Sequence, residues 1–315
     1  MVEIAIIAGT RPEAIKLSPV IEWLEKYQVD YLFIWSGQHY DYEMSKIFFE
    51  QLGLPKPYTN LDVKSGTQAQ QTAKAMIRLE KILEKIKPTI TVAEGDTNTV
   101  LATALASTKI HIPFAHVEAG LRSYNRLMPE EINRIVADAI AEIHFAPTEL
   151  AKANLLKEGI SSQKIYLTGN TIVDVVLKYE IKARKKAEKI LETLGLEKYN
   201  YILVTVHRAE NTNSKRRLKS ILKALNYIAD QIMPIIFPIH PRTLKLAKKH
   251  KIENLLNNKN IILMKPIGYF EFLGLLSYSH IVLTDSGGVQ EEALTLKTPC
   301  ITLRLSLIHI SEPTR

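Results

Sequence analysis

The sequence predicts an α/β protein made of two Rossmann-like, doubly wound domains facing a central cleft. Three observations carry this. Short apolar runs alternate with amphipathic stretches of helical period along most of the chain. The alternation is interrupted once, by a long polar helix beginning near residue 172, and then restarts. The chain has 315 residues, enough for two domains at roughly 100–200 residues each.

In order, residues 2–8 form the first buried strand and 12–27 the first helix. Strand 31–35 is followed by helix 40–52, and helix 67–86 leads into strand 89–93. Helix 97–107, strand 112–117, helix 129–139, strand 143–146, helix 148–158 and strand 165–168 complete the first domain, residues 1–171. The strands are short, rich in Val, Ile and aromatics, and closed by polar residues or glycine, as in parallel sheets covered on both faces. Helix 172–194 carries Lys182-Ala183-Arg184-Lys185-Lys186 and reads as a solvated connector. The second domain, residues 172–304, has strands near 201–205, 234–238, 261–264, 281–283 and 300–303, with helices between them.

Composition narrows the function classes. At 46% hydrophobic and 23% charged residues the chain is neither disordered nor fibrous. Cys300 is the only cysteine, so no disulfide forms. One thiol and an N-terminus without a basic leader point to a reducing, cytoplasmic setting. No apolar run reaches the ~18 residues of a membrane span, so no membrane partner is expected. The net charge of +8 serves solubility, a small anionic ligand or nucleic acid. The basic residues cluster on the connector helix and at 245–251 without interleaved aromatics, which argues against nucleic acid.

In doubly wound sheets the ligand crevice lies outside the carboxyl ends of the strands. After the first strand, Gly9-Thr10-Arg11-Pro12-Glu13 gives a tight exit with Pro in the first helical turn. Arg11 and Lys16 set two cations at this helix start, which suits a phosphate; solvated cations on a capped helix are the simpler alternative. The spaced three-glycine dinucleotide fingerprint is missing, which argues against a nicotinamide cofactor. In Glu94-Gly95-Asp96-Thr97-Asn98, Asp96 is either a helix cap or a general acid or base. His116-Val117-Glu118-Ala119-Gly120-Leu121-Arg122 gathers three chemically useful side chains at one strand end, and alternation puts His116 and Glu118 on one side. Glu130 and Glu131 open a helix, where acids also stabilise the helix dipole.

In the second half, His207-Arg208 and His240-Pro241-Arg242 lie at equivalent strand ends and suit anion recognition or proton transfer. Asp285-Ser286-Gly287-Gly288 opens a helix whose bare N–H groups suit a pyrophosphate, with Glu292 placed for ribose hydroxyls. There is no HExxH and no Cys/His cluster, and Asp41-Tyr42-Glu43 reads as a helix start, so no metal is expected. Together the strand ends suit a nucleotide-linked sugar.

The motifs, in order, resemble those of the non-hydrolysing UDP-N-acetylglucosamine 2-epimerases. They are Gly9-Thr10-Arg11-Pro12-Glu13-Ala14-Ile15-Lys16, Gly37-Gln38-His39, Gly95-Asp96-Thr97, His116 to Arg122, Pro129-Glu130-Glu131-Ile132-Asn133-Arg134, His207-Arg208-Ala209-Glu210-Asn211, His240-Pro241 and Asp285 to Ala293. The resemblance is collinear to about residue 304. It implies a GT-B-type fold, a cytoplasmic homodimer and interconversion of UDP-GlcNAc and UDP-ManNAc with no cofactor. UDP is eliminated across C1–C2 to give bound 2-acetamidoglucal and then adds back with C2 inverted. By motif match Asp96, Glu118 and Glu130 are the acid–base candidates, without assignment to a face of C2. Arg11, Lys16 and His207 stabilise the leaving pyrophosphate, Ser286, Gly287, Gly288 and Glu292 hold diphosphate and ribose, and His240 lies nearby. Gln38 and His39 match a region that joins an allosteric UDP-GlcNAc site in bacterial relatives, but the residues after His39 depart from that pattern.

The competing enzymes are a hydrolysing epimerase, which releases free ManNAc, and a GT-B glycosyltransferase, which needs an acceptor and no set of three carboxylates. A basic nucleic-acid-binding protein is the non-enzyme alternative. The resemblance stops after Leu303-Arg304, and residues 305–315 read as a non-native tail on a shortened second domain.

Overall fold

The computed structural model describes residues 2–37 and 49–303. It is an α/β protein with two all-parallel sheets, as the alternation predicts. The chain divides into one unit running to Val175 and a second beginning at Val176.

In the first unit the strands are β1 (Ile4–Ala8), β2 (Tyr31–Trp35), β3 (Thr59–Asn60), β4 (Ile90–Glu94), β5 (Phe114–Val117), β6 (Ile143–Ala146) and β7 (Ile165–Leu167). Their order is β3-β2-β1-β4-β5-β6-β7. The register runs Ile4 against Tyr31 on one side of β1 and Ile4 against Ile90 on the other. The helices are α1 (Arg11–Lys26), α2 (Gln68–Ile86), α3 (Asn98–Lys109), α4 (Pro129–Ile140) and α5 (Glu149–Lys157). Helix α6 (Thr171–Leu194) contains the division between the units, whereas the sequence reading put the boundary at its start.

The second unit holds β8 (Ile202–Thr205), β9 (Ile235–Pro238), β10 (Ile261–Met264), β11 (Ile281–Thr284) and β12 (Cys300–Thr302), ordered β10-β9-β8-β11-β12. Its helices are α7 (Ala209–Thr212), α8 (Lys215–Gln231), α9 (Pro241–Lys249), α10 (Tyr269–Ser277) and α11 (Gly287–Thr295).

Each sheet reverses its winding direction once. The switch point lies between β1 and β4 in the first unit and between β8 and β11 in the second, the position at which doubly wound sheets bind ligands. The central strands are nearly all apolar because helices cover both faces: Ala5, Ile6, Ile7 and Ala8 are buried, as are Leu203, Val204, Ile235, Ile236 and Val282. In the second unit α6 approaches α10 so closely that a Cβ at Gly274 would lie 2.1 Å from the Ala183 carbonyl oxygen.

One element goes beyond expectation. The two-residue β3 is too short to leave a periodic signal. Helix 40–52 falls mostly on residues outside the described ones, as do Gln38, His39, Asp41, Tyr42 and Glu43, and the tail 305–315 lies outside them altogether. No helix among the described residues is long and apolar enough to cross a membrane.

Candidate active site

Three chain segments meet at the switch point of the first unit. The first is the exit from β1. Glu13, buried in the first turn of α1, accepts hydrogen bonds from the Gly9 and Thr10 amides, the latter at 2.7 Å, and from the Thr97 hydroxyl. These donors fold the Gly9–Glu13 loop back on its own helix. Burial outweighs them and pushes the Glu13 carboxyl up to about 7. Gly9 permits the close approach: a Cβ there would sit 2.1 Å from Thr99 Oγ1 and 2.7 Å from Ser36 Oγ.

The second segment is the end of β4 and the third is the turn after β5. Lys16, facing inward from α1, sets its ammonium 2.6 Å from Glu118 Oε1 and 3.4 Å from Glu94 Oε1. All three side chains are buried. Two carboxyl groups thus share one buried cation. Burial pushes the Glu94 carboxyl well up, Lys16 opposes this, and the neighbouring Glu118, which is hydrogen-bonded to it, pushes it further. β5 ends at Val117, and Glu118 adopts φ +69°, the left-handed region. Its direction is therefore set by the turn. This corrects the expectation that strand alternation groups it with His116.

His116 instead supports the floor of the site. Its Nε2 lies 2.8 Å from the Gly95 carbonyl oxygen and its Nδ1 2.6 Å from Asp138 Oδ1. Two acceptors require two N–H donors, which is the imidazolium. Burial opposes that charge, but Asp138 outweighs it and holds the histidine above its ordinary value. Asp138 also pairs with Arg122 at 2.7 Å and accepts from the Gly120 amide. Arg122 in turn grips Glu158 through two nitrogens, at 2.8 and 2.6 Å. The motif His116 to Arg122 is thereby tied to α4 and α5.

Asp96 caps no helix with its side chain; Thr97 does so, accepting from the Thr99 amide. The Asp96 carboxylate is ion-paired to the buried Arg134, and its carbonyl oxygen accepts from Asn133 Nδ2 at 2.9 Å. Arg134 also pairs with Glu131 at 2.7 Å, and Glu131 accepts from the Ser123 and Tyr124 amides at 2.9 and 2.8 Å. Glu131 is a fixed part of the scaffold, whereas its neighbour Glu130 is half-buried in the first turn of α4.

In the second unit the organising group is Asp285, at the end of β11. It accepts from the His207 amide at 3.0 Å, the Arg208 amide at 2.9 Å and Asn211 Nδ2 at 3.0 Å, and His207 Nδ1 lies 3.2 Å away. Burial opposes its charge, but His207 and these donors win and hold the carboxyl at about 2. The imidazoles of His207 and His240 lie 5.6 Å apart. His240 Nδ1 accepts from the Arg242 amide at 3.1 Å, which leaves Nε2 as the protonated nitrogen. Ser286 is the N-cap of α11, its amide donating to Thr284 Oγ1 at 3.0 Å. A Cβ on Gly288 would meet nothing within 4 Å. Glu292 is buried beside the Tyr269 hydroxyl, which burial and this carboxylate push up.

The structure therefore gathers Lys16, Asp96 and Glu118 at one switch point, with Arg11 in the first turn of α1, and His207, His240 and the start of α11 at the other. Sequence reasoning passed over Glu13, Glu94, Arg134, Asp138 and Asp285 as site-building residues. A signal existed for three of them: Glu94 is a charge closing an apolar strand, and Arg134 and Asp138 sit one helical turn apart on the face of α4 that carries Ala137. Among the described residues no group of His, Cys, Asp and Glu could hold a metal ion.

Residues 22–307 match the family model described as UDP-N-acetylglucosamine 2-epimerase. A UDP-N-acetylglucosamine 2-epimerase of Methanocaldococcus jannaschii is 51% identical over 307 residues, covering 96% of this chain and 83% of the relative. A UDP-2,3-diacetamido-2,3-dideoxy-D-glucuronate 2-epimerase of Pseudomonas aeruginosa is 43% identical over 306 residues, with the same two coverages of 96% and 83%. The crystal structure of the M. jannaschii UDP-GlcNAc 2-epimerase in complex with UDP-GlcNAc and UDP superposes with a TM-score of 0.90, at 51% identity, covering 97% of this chain and 85% of that one.

Proposed function

The chain belongs to the UDP-N-acetylglucosamine 2-epimerase family, and we propose that it interconverts UDP-GlcNAc and UDP-ManNAc without net hydrolysis. The observation that carries this reading is the buried Glu118–Lys16 pair, next to the Asp96–Arg134 pair, at the switch point of the first unit. The sugars named for both relatives carry a 2-acetamido group on a UDP-linked ring, so inversion at C2 is the shared chemistry.

The C2 hydrogen is not acidic, so its removal must accompany cleavage of the C1–O bond. A carboxylate takes the C2 proton, the C–H electrons become the C1=C2 bond, and UDP leaves with the C1–O electrons. Return of UDP to C1 and delivery of a proton to the other face of C2 give the epimer. Glu118, held ionised against Lys16, suits proton removal, while Asp96 and Glu130 are the further acid–base groups. Arg11 and His207 supply positive charge for the leaving diphosphate. Lys16 shares that task while its ammonium lies on Glu118. In the second unit, Ser286 and the Gly287 and Gly288 amides hold diphosphate, Glu292 holds the ribose hydroxyls and His240 lies beside His207. The same reading carries a homodimer in the cytoplasm.

Incubation with UDP-GlcNAc alone in deuterium oxide tests the reading. Deuterium should enter C2 of both nucleotide sugars. Free ManNAc with UDP would assign hydrolysis instead, and no incorporation without an acceptor would point to a transferase.

A further inference from the structure

Glu94 has no place in the chemistry above, yet it is a carboxyl group that is only 2% exposed and lies against another carboxyl. We propose that Glu94 is a positioning residue that holds a proton against Glu118, so that Glu118 alone is ionised on Lys16 and keeps the orientation needed for proton abstraction. The inference rests on the epimerase reading and deepens it.

The geometry decides which of the two carries the proton. Lys16 Nζ is 2.6 Å from Glu118 but 3.4 Å from Glu94, so its attraction for a charge on Glu118 is roughly a third stronger at equal dielectric. Glu94 is also the more deeply buried. Its Oε1 accepts no hydrogen bond among the described residues, which suits the carbonyl oxygen of a neutral carboxyl better than one end of a carboxylate. The groups facing Glu94 are Lys16 and Glu13 from α1 and Glu118 from the turn after β5, so that with Glu94 itself three of four interacting groups are carboxyls. One ammonium cannot keep them all ionised in a buried space. A neutral Glu94 donates its hydroxyl hydrogen to Glu118, and that bond together with the Lys16 contact orients the carboxylate of a residue held at φ +69°. Once Glu94 loses its proton, two like charges face each other and Glu118 loses that orientation. Glu94 sits well above its ordinary value, so this change belongs to the alkaline limb of the rate profile. His116, which also interacts with Glu118 and is also raised, titrates on that side too.

Glu94→Gln separates the two, because the amide donates a hydrogen bond and never ionises. The measurement is exchange of the C2 hydrogen of UDP-GlcNAc for solvent deuterium as a function of pH, with UDP binding and far-UV circular dichroism as controls for folding. The wild type should exchange; if it does not, the epimerase reading fails before Glu94 is at issue. E94Q should retain kcat within about threefold at neutral pH and shift or lose the alkaline limb. Glu94→Leu, which cannot donate, should lower kcat at least about tenfold with KM within about threefold. Two results overturn the proposal. One is an E94Q rate as low as that of a folded E94L, which would make an ionised Glu94 essential. The other is an E94Q profile with the wild-type alkaline limb.

Discussion

Replacing Asp285 with Asn should destabilise the second unit by an amount that the structure fixes. Asn is close to a neutral isostere of a protonated aspartate. The cost of the substitution is therefore close to that of forcing a proton onto the folded carboxyl. Its pKa falls from 3.8 to about 2 on folding, and the group has no solvent exposure. A shift of that size corresponds to about 2.5 kcal/mol at neutral pH. The sign follows from the depressed value: the stabilisation is complete above the unfolded pKa and is lost as pH falls through the folded one. The difference between wild type and D285N should thus be about 2.5 kcal/mol at pH 7, about half that at pH 3, and small by pH 2. Urea unfolding followed by far-UV circular dichroism reads it. Trp23 and Trp35, the two tryptophans, both lie in the first unit, so their fluorescence serves as an internal control that should not move. A difference below about 0.5 kcal/mol at pH 7, or one that does not shrink between pH 4 and 2, would refute the reasoning.

Asp96→Asn should bind UDP within about threefold of wild type while losing C2 exchange by at least about a hundredfold, measured by mass spectrometry; near-normal turnover removes Asp96 from the mechanism. Gly288→Ala should leave the unfolding midpoint unchanged or higher, because the added Cβ meets no protein atom, yet weaken UDP at least about tenfold in calorimetry by crowding the α11 amides; unchanged affinity would place the diphosphate elsewhere. Gly9→Ala should cost about 1–3 kcal/mol in tryptophan-monitored unfolding, because its Cβ falls 2.1 Å from Thr99 Oγ1, and Thr99→Ala in the same chain should recover part of the loss.

The fold was legible because its signal is repetitive. β1, β2 and β10 are apolar runs closed by glycine or polar residues, and helices α2 and α4 carry start signals at Thr67 and Pro129, so these boundaries were marked locally. β3 was not legible, since two residues cannot show a period. The strand ends were legible as places, because parallel order alone puts them at one edge. What each residue does there was not. Lys16 looked like a phosphate cation from its position in α1, and only the approach of β4 and β5 reveals that its charge meets two carboxyl groups. Glu130 and Glu131 are adjacent in sequence, but a helix turns them apart, so that only Glu131 packs its carboxylate under the Ser123–Tyr124 loop. The Lys16 assignment depends on a partner more than a hundred residues away, Glu118, and local pattern carries no information about it.

Buried carboxyl groups serve in two opposite ways here, and the difference separates scaffold from chemistry. Asp285 is surrounded by donors: two amides, an Asn side chain and a histidine saturate its oxygens, and its pKa falls. Asp138 follows the same rule, with Arg122, His116 and the Gly120 amide on it, and it too is lowered despite burial. Carboxylates so fully satisfied gain nothing from taking a proton near neutral pH, so their role is to hold loops. Glu94 and Glu13 have donors or cations as well, but burial and neighbouring acids outweigh them, and their pKa values rise. A carboxyl near 7, as Glu13 is, changes charge in the range where an enzyme works. The proton economy of the first unit is therefore left incomplete at the junction of β1, β4 and β5, beside carboxylates fixed by Arg134 and Lys16. Pairs of acids whose environments drive their pKa values apart supply one group to accept a proton and another to hold one. Inversion at C2 requires both.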